Sequence, residues 1–200
     1  MSYICTSCGK ETPTSTFHNT CECGGLFSLP QDHLPLWQES LIDKSVWSQF
    51  RYHAFMNLDG DVWRRVSMGE GMTPIASYNG SVFLKMDFMM PTLSFKDRGA
   101  AALVSHMKAI GVKKCVQDSS GNAGVAVAAY CARSGIACEI YVPEGTSPNK
   151  IAMIEKDGSW GAHAHNYLTQ RLAAAQNYVR KAQEILDAGK FSKTAVDPLK

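Results

Sequence analysis

Five apolar segments between residues 81 and 143 alternate between two hydrophobic periods, and this alternation limits the fold more than any other feature of the chain. "SVFLKM" (81–86), "KKCVQD" (113–118) and "IACEIYVP" (136–143) are short and β-rich, and a proline closes the third. Between the first two, Ala100, Leu103, Val104, Met107 and Ile110 recur at helical spacing, with Ser105, His106 and Lys108 facing the other way. Gly111 stands where a helix C-cap glycine belongs. "VAVAAYCAR" (125–133) has almost no polar face, which predicts a buried helix ended by Gly135. Strand, helix, strand, helix and strand joined by short connections predict an α/β fold, a parallel sheet covered by helices.

The flanks of this region differ from it. Residues 1–29 hold four of the seven cysteines among Gly, Thr and Ser, too few apolar groups for a core, so this segment needs a staple. Residues 30–80 carry Trp37, Trp47, Phe50, Tyr52, Phe55 and Trp63 without a clean period. They read as an irregular and helical segment packed on the main body, with one helix near 36–50. Residues 81–155 form the α/β domain of this reading, and 156–200 a tail. In that tail Leu168, Leu172, Ala175, Val179, Ala182 and Leu186 mark an amphipathic helix, too short in heptads for a coiled coil.

Charge and cysteine usage narrow the function. With 19% charged residues, 45% apolar residues and a net charge of +2, the chain has neither the charge excess of a nucleic-acid binder nor the composition of a disordered segment. It has no apolar run near the roughly 18 residues of a membrane span and no signal-type apolar core, which predicts a cytoplasmic protein. An odd number of cysteines then points to reduced thiols or metal ligands rather than a disulfide framework. Cys5-x-x-Cys8 and Cys21-x-Cys23, each followed by glycine, can present four thiolates to one tetrahedral zinc ion in a structural role. Free structural thiols are the alternative, and His18 is a substitute ligand. Cys115, Cys131 and Cys138 fall on predicted buried elements and read as core packing. His163 and His165 share one face if extended and read as exposed imidazoles, with metal binding the alternative. Lys113 and Lys114 read as a solvated strand edge.

Two stretches carry chemistry. In "MPTLSFKDRG" (90–99) Lys96 opens a helical pattern beside Phe95 and close to Arg98. An amine attacks a carbonyl only when unprotonated, so a nucleophilic lysine needs burial or nearby positive charge, and a helix N-terminus disfavours added cations. Asp97 works against this, and a solvated lysine at a helix start is the plain alternative. "DSSGNAG" (118–124) follows a strand and precedes a helix, where free backbone N–H groups and small residues admit an anion or a polar ring oxygen. Asn122 there either caps the helix or holds a ligand. The stretch does not match G-x-G-x-x-G, so a dinucleotide site is not supported.

Four blocks in order, "VSMGEGMTPI" (66–75), "PTLSFKDRGA" (91–100), "DSSGNAGVAVAAYCARSGI" (118–136) and "YVPEG" (141–145), resemble the threonine synthase branch of the fold-type II pyridoxal-phosphate-dependent enzymes. The resemblance implies a tryptophan synthase beta-like fold. By the same resemblance, Lys96 binds pyridoxal 5'-phosphate covalently and also serves as general base, Asn122 donates to the ring hydroxyl of the cofactor, and Ser120, Gly121, Ala123 and Gly124 complete that loop. Glu70, Gly71 and Thr73 would lie near the substrate. The reaction implied is a lyase-type conversion of O-phosphohomoserine and water to threonine and phosphate, in amino-acid biosynthesis on a small amino-acid phosphate. A related activity such as cysteate synthase, or a catalytically silent relative acting as a binding or assembly module, is the alternative. An N-terminal zinc knuckle built on Cys5, Cys8, Cys21 and Cys23 is common among such proteins. Leu93 stands where relatives commonly have glycine. The relatives are longer, and the phosphate-binding loop of their C-terminal half is not recognisable after Glu155. The missing part of the site is therefore expected from a homodimer or a complementing chain, unless it is lost.

Overall fold

The computed structural model describes residues 2–58, 60–119 and 121–156, so the tail helix expected over 168–186 and the pair His163 and His165 lie outside the described residues. Three short strands, β1 (Ser2–Cys5), β2 (Glu11–Pro13) and β3 (Phe27–Ser28), form an antiparallel sheet in the order β2-β1-β3 that carries the first cysteines. Tyr3 stacks on Phe27 with centroids 5.2 Å apart.

The single helix expected near 36–50 is replaced by two 3₁₀ helices, Glu39–Leu41 and Gln49–Phe55. The cause is local. The Asp43 carboxylate accepts from the backbone N–H of Ser45 at 3.0 Å, and the Ser48 hydroxyl accepts from that of Phe50 at 3.1 Å. Side chains thus take N–H groups that a continuous helix would have used. A short helix α1 (Trp63–Val66) follows, and Trp63 stacks on Phe50 at 4.9 Å to begin the core.

Strands β4 (Ile75–Asn79) and β5 (Val82–Lys85) pair antiparallel, Ile75 opposite Lys85 and Ala76 opposite Leu84. This corrects the expectation that the segment 81–86 opens the parallel sheet. Its partner is the segment just before it. The dipeptide Asn79-Gly80 is a strong hairpin signal, and the Asn79 side-chain oxygen accepts from the N–H groups of Ser81 and Val82, both at 3.0 Å. A neighbour two residues away closes at little entropic cost.

The rest follows the predicted alternation. Helix α2 (Lys96–Ala109) leads to β6 (Lys114–Asp118), helix α3 (Asn122–Ser134), β7 (Ala137–Tyr141) and helix α4 (Pro148–Lys156). Gly111 and Gly135 both take positive φ, 83° and 67°, as C-caps require. β6 and β7 are parallel and in register, with Cys115 opposite Cys138 and Gln117 opposite Ile140. One face of this pair, bearing Cys115, Gln117, Cys138 and Ile140, is half-buried. The other, bearing Val116, Glu139 and Tyr141, is exposed, so among the described residues helices cover the parallel strands on one side only.

Ala100, Ala101, Val104 and Met107 of α2 join Ala126, Val127, Tyr130 and Cys131 of α3 in the main core. Small residues at such a contact let the two axes approach closely. The fully apolar character of α3 thus reports burial, as its sequence predicts. Two positions of α2 depart from the predicted stripe: Leu103 is exposed, and Ser105 is buried. The Ser105 hydroxyl donates to the Ala101 carbonyl one turn back at 2.7 Å, which satisfies it inside the helix and lets it face the core. No helix among the described residues is long and apolar enough to cross a membrane.

Candidate functional site

Lys96 is the first residue of α2 and is exposed, with its Nζ 4.8 Å from the centroid of the exposed Phe95 ring. The flanking charged side chains bond to other partners. Asp97 turns inward and is fully buried. Its carboxylate accepts from the backbone N–H of Thr92 at 2.7 Å and from the Thr92 hydroxyl. Burial raises the Asp97 pKa, the Thr92 hydrogen bonds pull it back, and the nearby Glu70 carboxylate adds to the rise. Arg98 makes a two-pronged bond to Asp87, Nη1 to Oδ2 at 2.7 Å and Nη2 to Oδ1 at 3.0 Å, which holds the Asp87 carboxyl below its usual range. Charges adjacent in sequence are therefore spent on other partners, because successive helical residues point about 100° apart.

Leu93, in the turn before α2, is buried with φ of 63°, in the left-handed region that side chains avoid. The glycine that the resemblance leads one to expect there has a conformational reason.

At the start of α3 the Ser119 hydroxyl accepts from the backbone N–H of Gly124 at 2.9 Å and of Gly121 at 3.4 Å. Gly124 is where the helix approaches the turn: a Cβ there would stand 3.0 Å from the Ser119 carbonyl oxygen and 3.0 Å from the Ile140 methyl. Gly121 is open, with nothing within 4 Å of the same position, and Asn122, the first helical residue, is exposed. Ser120 lies outside the described residues.

Lys96 and Asn122 are brought to the same end of one helix pair. The Lys108 amine donates to the Ser134 carbonyl at 2.6 Å, which joins the C-terminal ends of α2 and α3. Lys96 and Asn122 each stand twelve residues upstream of that contact on helices packed along their lengths. Each is thus about 18 Å back along its axis at 1.5 Å per residue. The donor chemistry fits one side of pyridoxal phosphate: a primary amine for its aldehyde, an amide for its ring oxygen, and an open glycine turn that lets a flat ring approach.

The block containing Glu70, Gly71 and Thr73 is built differently. Glu70 is fully buried. Its carboxylate accepts from the Ser67 hydroxyl at 3.0 Å, the Met68 N–H at 2.9 Å and the Tyr130 hydroxyl at 2.9 Å. Gly71 has φ of 92° and lies against the Gln49 backbone, whose N–H donates to the Glu70 carbonyl at 2.8 Å. Thr73 donates to Asp87 at 2.7 Å and accepts from the Lys85 amine at 2.7 Å. All three residues hold the loop in shape. Tyr130, Asp87 and Gln49, on which this arrangement depends, are not apparent from the motifs. Only Tyr130 carries a signal, since a buried phenol needs a hydrogen-bond partner.

Cys5, Cys8, Cys21 and Cys23 converge with all sulfurs within 4.8 Å of one another. Cys5 to Cys23 and Cys8 to Cys23 are both 3.5 Å, and Cys8 to Cys21 is 3.8 Å. A tetrahedral zinc site with bonds of about 2.3 Å places its sulfurs about 3.8 Å apart, so the cluster fits the ion. Backbone N–H groups of Cys8 and Ser7 lower the Cys5 pKa to about 6, toward the thiolate that a metal needs. Gly25 makes room: a Cβ there would stand 2.6 Å from the Cys5 sulfur. His18 does not belong to the group.

A family model described as "Pyridoxal-phosphate dependent enzyme" matches residues 66–196, past Glu155, where the recognisable motifs stop. The chain is 33% identical to the threonine synthase of Methanocaldococcus jannaschii over 152 residues, which is 70% of this chain and 37% of that protein. It is 42% identical to that of Mycobacterium tuberculosis over 101 residues, 47% of this chain and 27% of that protein. With the threonine synthase of Halalkalibacterium halodurans it shares 36% identity over 95 residues, 44% and 26% of the two chains. The matched segment thus spans from 26% to 37% of the length of these curated relatives. With the family model covering more than half of its residues and the lysine and glycine-turn motifs at one end of a helix pair, the chain belongs to the pyridoxal-phosphate-dependent enzymes.

Proposed function

We propose that this chain supplies the lysine side of a pyridoxal-phosphate site and works in threonine-synthase-type lyase chemistry, the conversion of O-phosphohomoserine and water to threonine and phosphate. The observation that supports this reading is that Lys96 and Asn122 each open a helix, α2 and α3, whose C-terminal ends are joined, and that the turn before Asn122 is open at Gly121. When bound, the cofactor supplies an electron sink for carbanion charge. Lys96 carries the cofactor through its Nζ and moves protons at the substrate carbons. Asn122 donates to the ring oxygen, and the open turn at Gly121 leaves room for the ring at the helix start, with Ser120, Ala123 and Gly124 assigned to the same loop by resemblance. Glu70, Gly71 and Thr73 act on the substrate only by shaping the loop they hold.

Borohydride reduction after incubation with pyridoxal phosphate, followed by peptide mass spectrometry, tests this assignment. The adduct is expected on Lys96 in preference to the other lysines. Phosphate release from O-phosphohomoserine is expected to fall by at least about 100-fold in Lys96→Ala, the lower range for loss of a positioned proton-transfer group. Labelling spread evenly over surface lysines overturns the assignment. A second reading, in which the chain is silent alone and acts with a homodimer partner or a complementing chain, is favoured by the exposure of Lys96 and of the outer sheet face. Selective labelling without phosphate release supports it.

The four N-terminal cysteines are proposed to hold one structural zinc ion, since four protein ligands leave no open position. Elemental analysis should find one equivalent per chain. Chelation should unfold the β1–β3 sheet, read as loss of amide protection there, because so small a segment has little else to stabilise it. Protein without zinc that keeps this protection in chelator excludes the site.

A further inference from the structure

A second group of thiols lies away from both sites. Cys115 on β6, Cys138 on β7 and Cys131 on α3 place their sulfurs within 4.8 Å of one another. The parallel register makes Cys115 and Cys138 direct neighbours on the sheet face that α3 covers, and Cys131 comes down on them fully buried. Three consecutive elements thus bring three sulfurs together. Core packing alone asks only for small apolar groups at these positions and does not require that the sulfurs meet.

We propose that Cys115, Cys131 and Cys138 form an all-sulfur binding site for a soft, three-coordinate ion, copper(I). Thiolates select soft ions, and no histidine, aspartate or glutamate among the described residues belongs to the group. With bonds of about 2.3 Å, the length sulfur makes to zinc, three ligands in a plane lie about 4 Å apart, so the group closes on an ion with shifts under about 1 Å. Among the described residues no fourth protein ligand joins the group, so zinc would have to complete its tetrahedron with water, whereas copper(I) is satisfied by three thiolates. Each thiol that binds releases its proton to solvent, and copper stays in the oxidation state in which it is supplied. Half-exposed Cys115 and Cys138 provide the way in and let water screen the negative charge that results.

Anaerobic titration with copper(I), in competition with bathocuproine disulfonate, tests the site by comparing the wild-type chain with Cys131→Ala. The four N-terminal cysteines are the same in both proteins, so any difference belongs to this group. The wild type is expected to take up one more equivalent, bound at least about 100-fold more tightly than in the variant, a loss seen even when a residue supporting a metal ligand is removed. Sulfur-edge and copper-edge absorption should show an added all-sulfur shell in the wild type. Cys115→Ser, at a half-exposed position less critical to folding, should lose the same equivalent. Equal copper uptake by the wild type and a folded Cys131→Ala or Cys115→Ser overturns the proposal.

Discussion

Gly71→Ala is expected to lower the unfolding free energy by about 3 kcal/mol, read as a shift in urea midpoint at unchanged slope. Two effects add. At φ of 92° any side chain pays the left-handed penalty of about 1–2 kcal/mol. The new Cβ would also stand 2.9 Å from the Gln49 backbone nitrogen, forcing apart a contact made by main chain, which cannot swing away as a side chain can. That displacement stretches the 2.8 Å bond from the Gln49 N–H to the Glu70 carbonyl. Gly69 is the control, because its φ of 87° is nearly the same and nothing lies within 4 Å of its Cβ position. Gly69→Ala should therefore cost only the conformational part, about 1–2 kcal/mol. Equal losses at the two sites would show that the approach of the Gln49 backbone contributes nothing.

Tyr130→Phe is expected to cost about 2 kcal/mol, the range for a hydrogen bond to a buried charged group. Burial raises the Tyr130 pKa, and the Glu70 and Asp97 charges raise it further, so the phenol stays protonated and donates to Glu70. Without that donor one buried oxygen of Glu70 keeps only the Met68 N–H. The ring itself remains, so the core around Phe50, Trp63 and Val104 stays filled and the loss reports the hydroxyl alone. In a cycle with Glu70→Gln the two substitutions should be non-additive, since they share one bond. Additive effects in that cycle, or a Tyr130→Phe loss under about 0.5 kcal/mol, the range of inert surface changes, would remove Glu70 as the tie between the loop 67–73 and α3.

The lysine and asparagine of the candidate site are legible in the sequence because they sit in short motifs at the starts of helices, and a helix start is a local property. The four N-terminal cysteines are legible for the same reason, since two close pairs on glycine turns leave few geometries. What surrounds these residues is less legible. Asp97 and Arg98 look like modifiers of Lys96 by adjacency, but they turn to Thr92 and Asp87. Glu70 looks like a substrate contact by resemblance, but it is buried against Tyr130, sixty residues away.

From the sequence alone come the alternation of strand and helix over 96–141, the burial of α3 and the C-caps at Gly111 and Gly135, because hydrophobic period and glycine conformation act within a few residues. Only the tertiary structure decides that β5 pairs with β4, that α2 and α3 present Lys96 and Asn122 at a common end, and that Cys115, Cys131 and Cys138 meet. Each of these depends on which elements lie side by side, and side-chain period sets the face an element buries without naming the neighbour it buries it against.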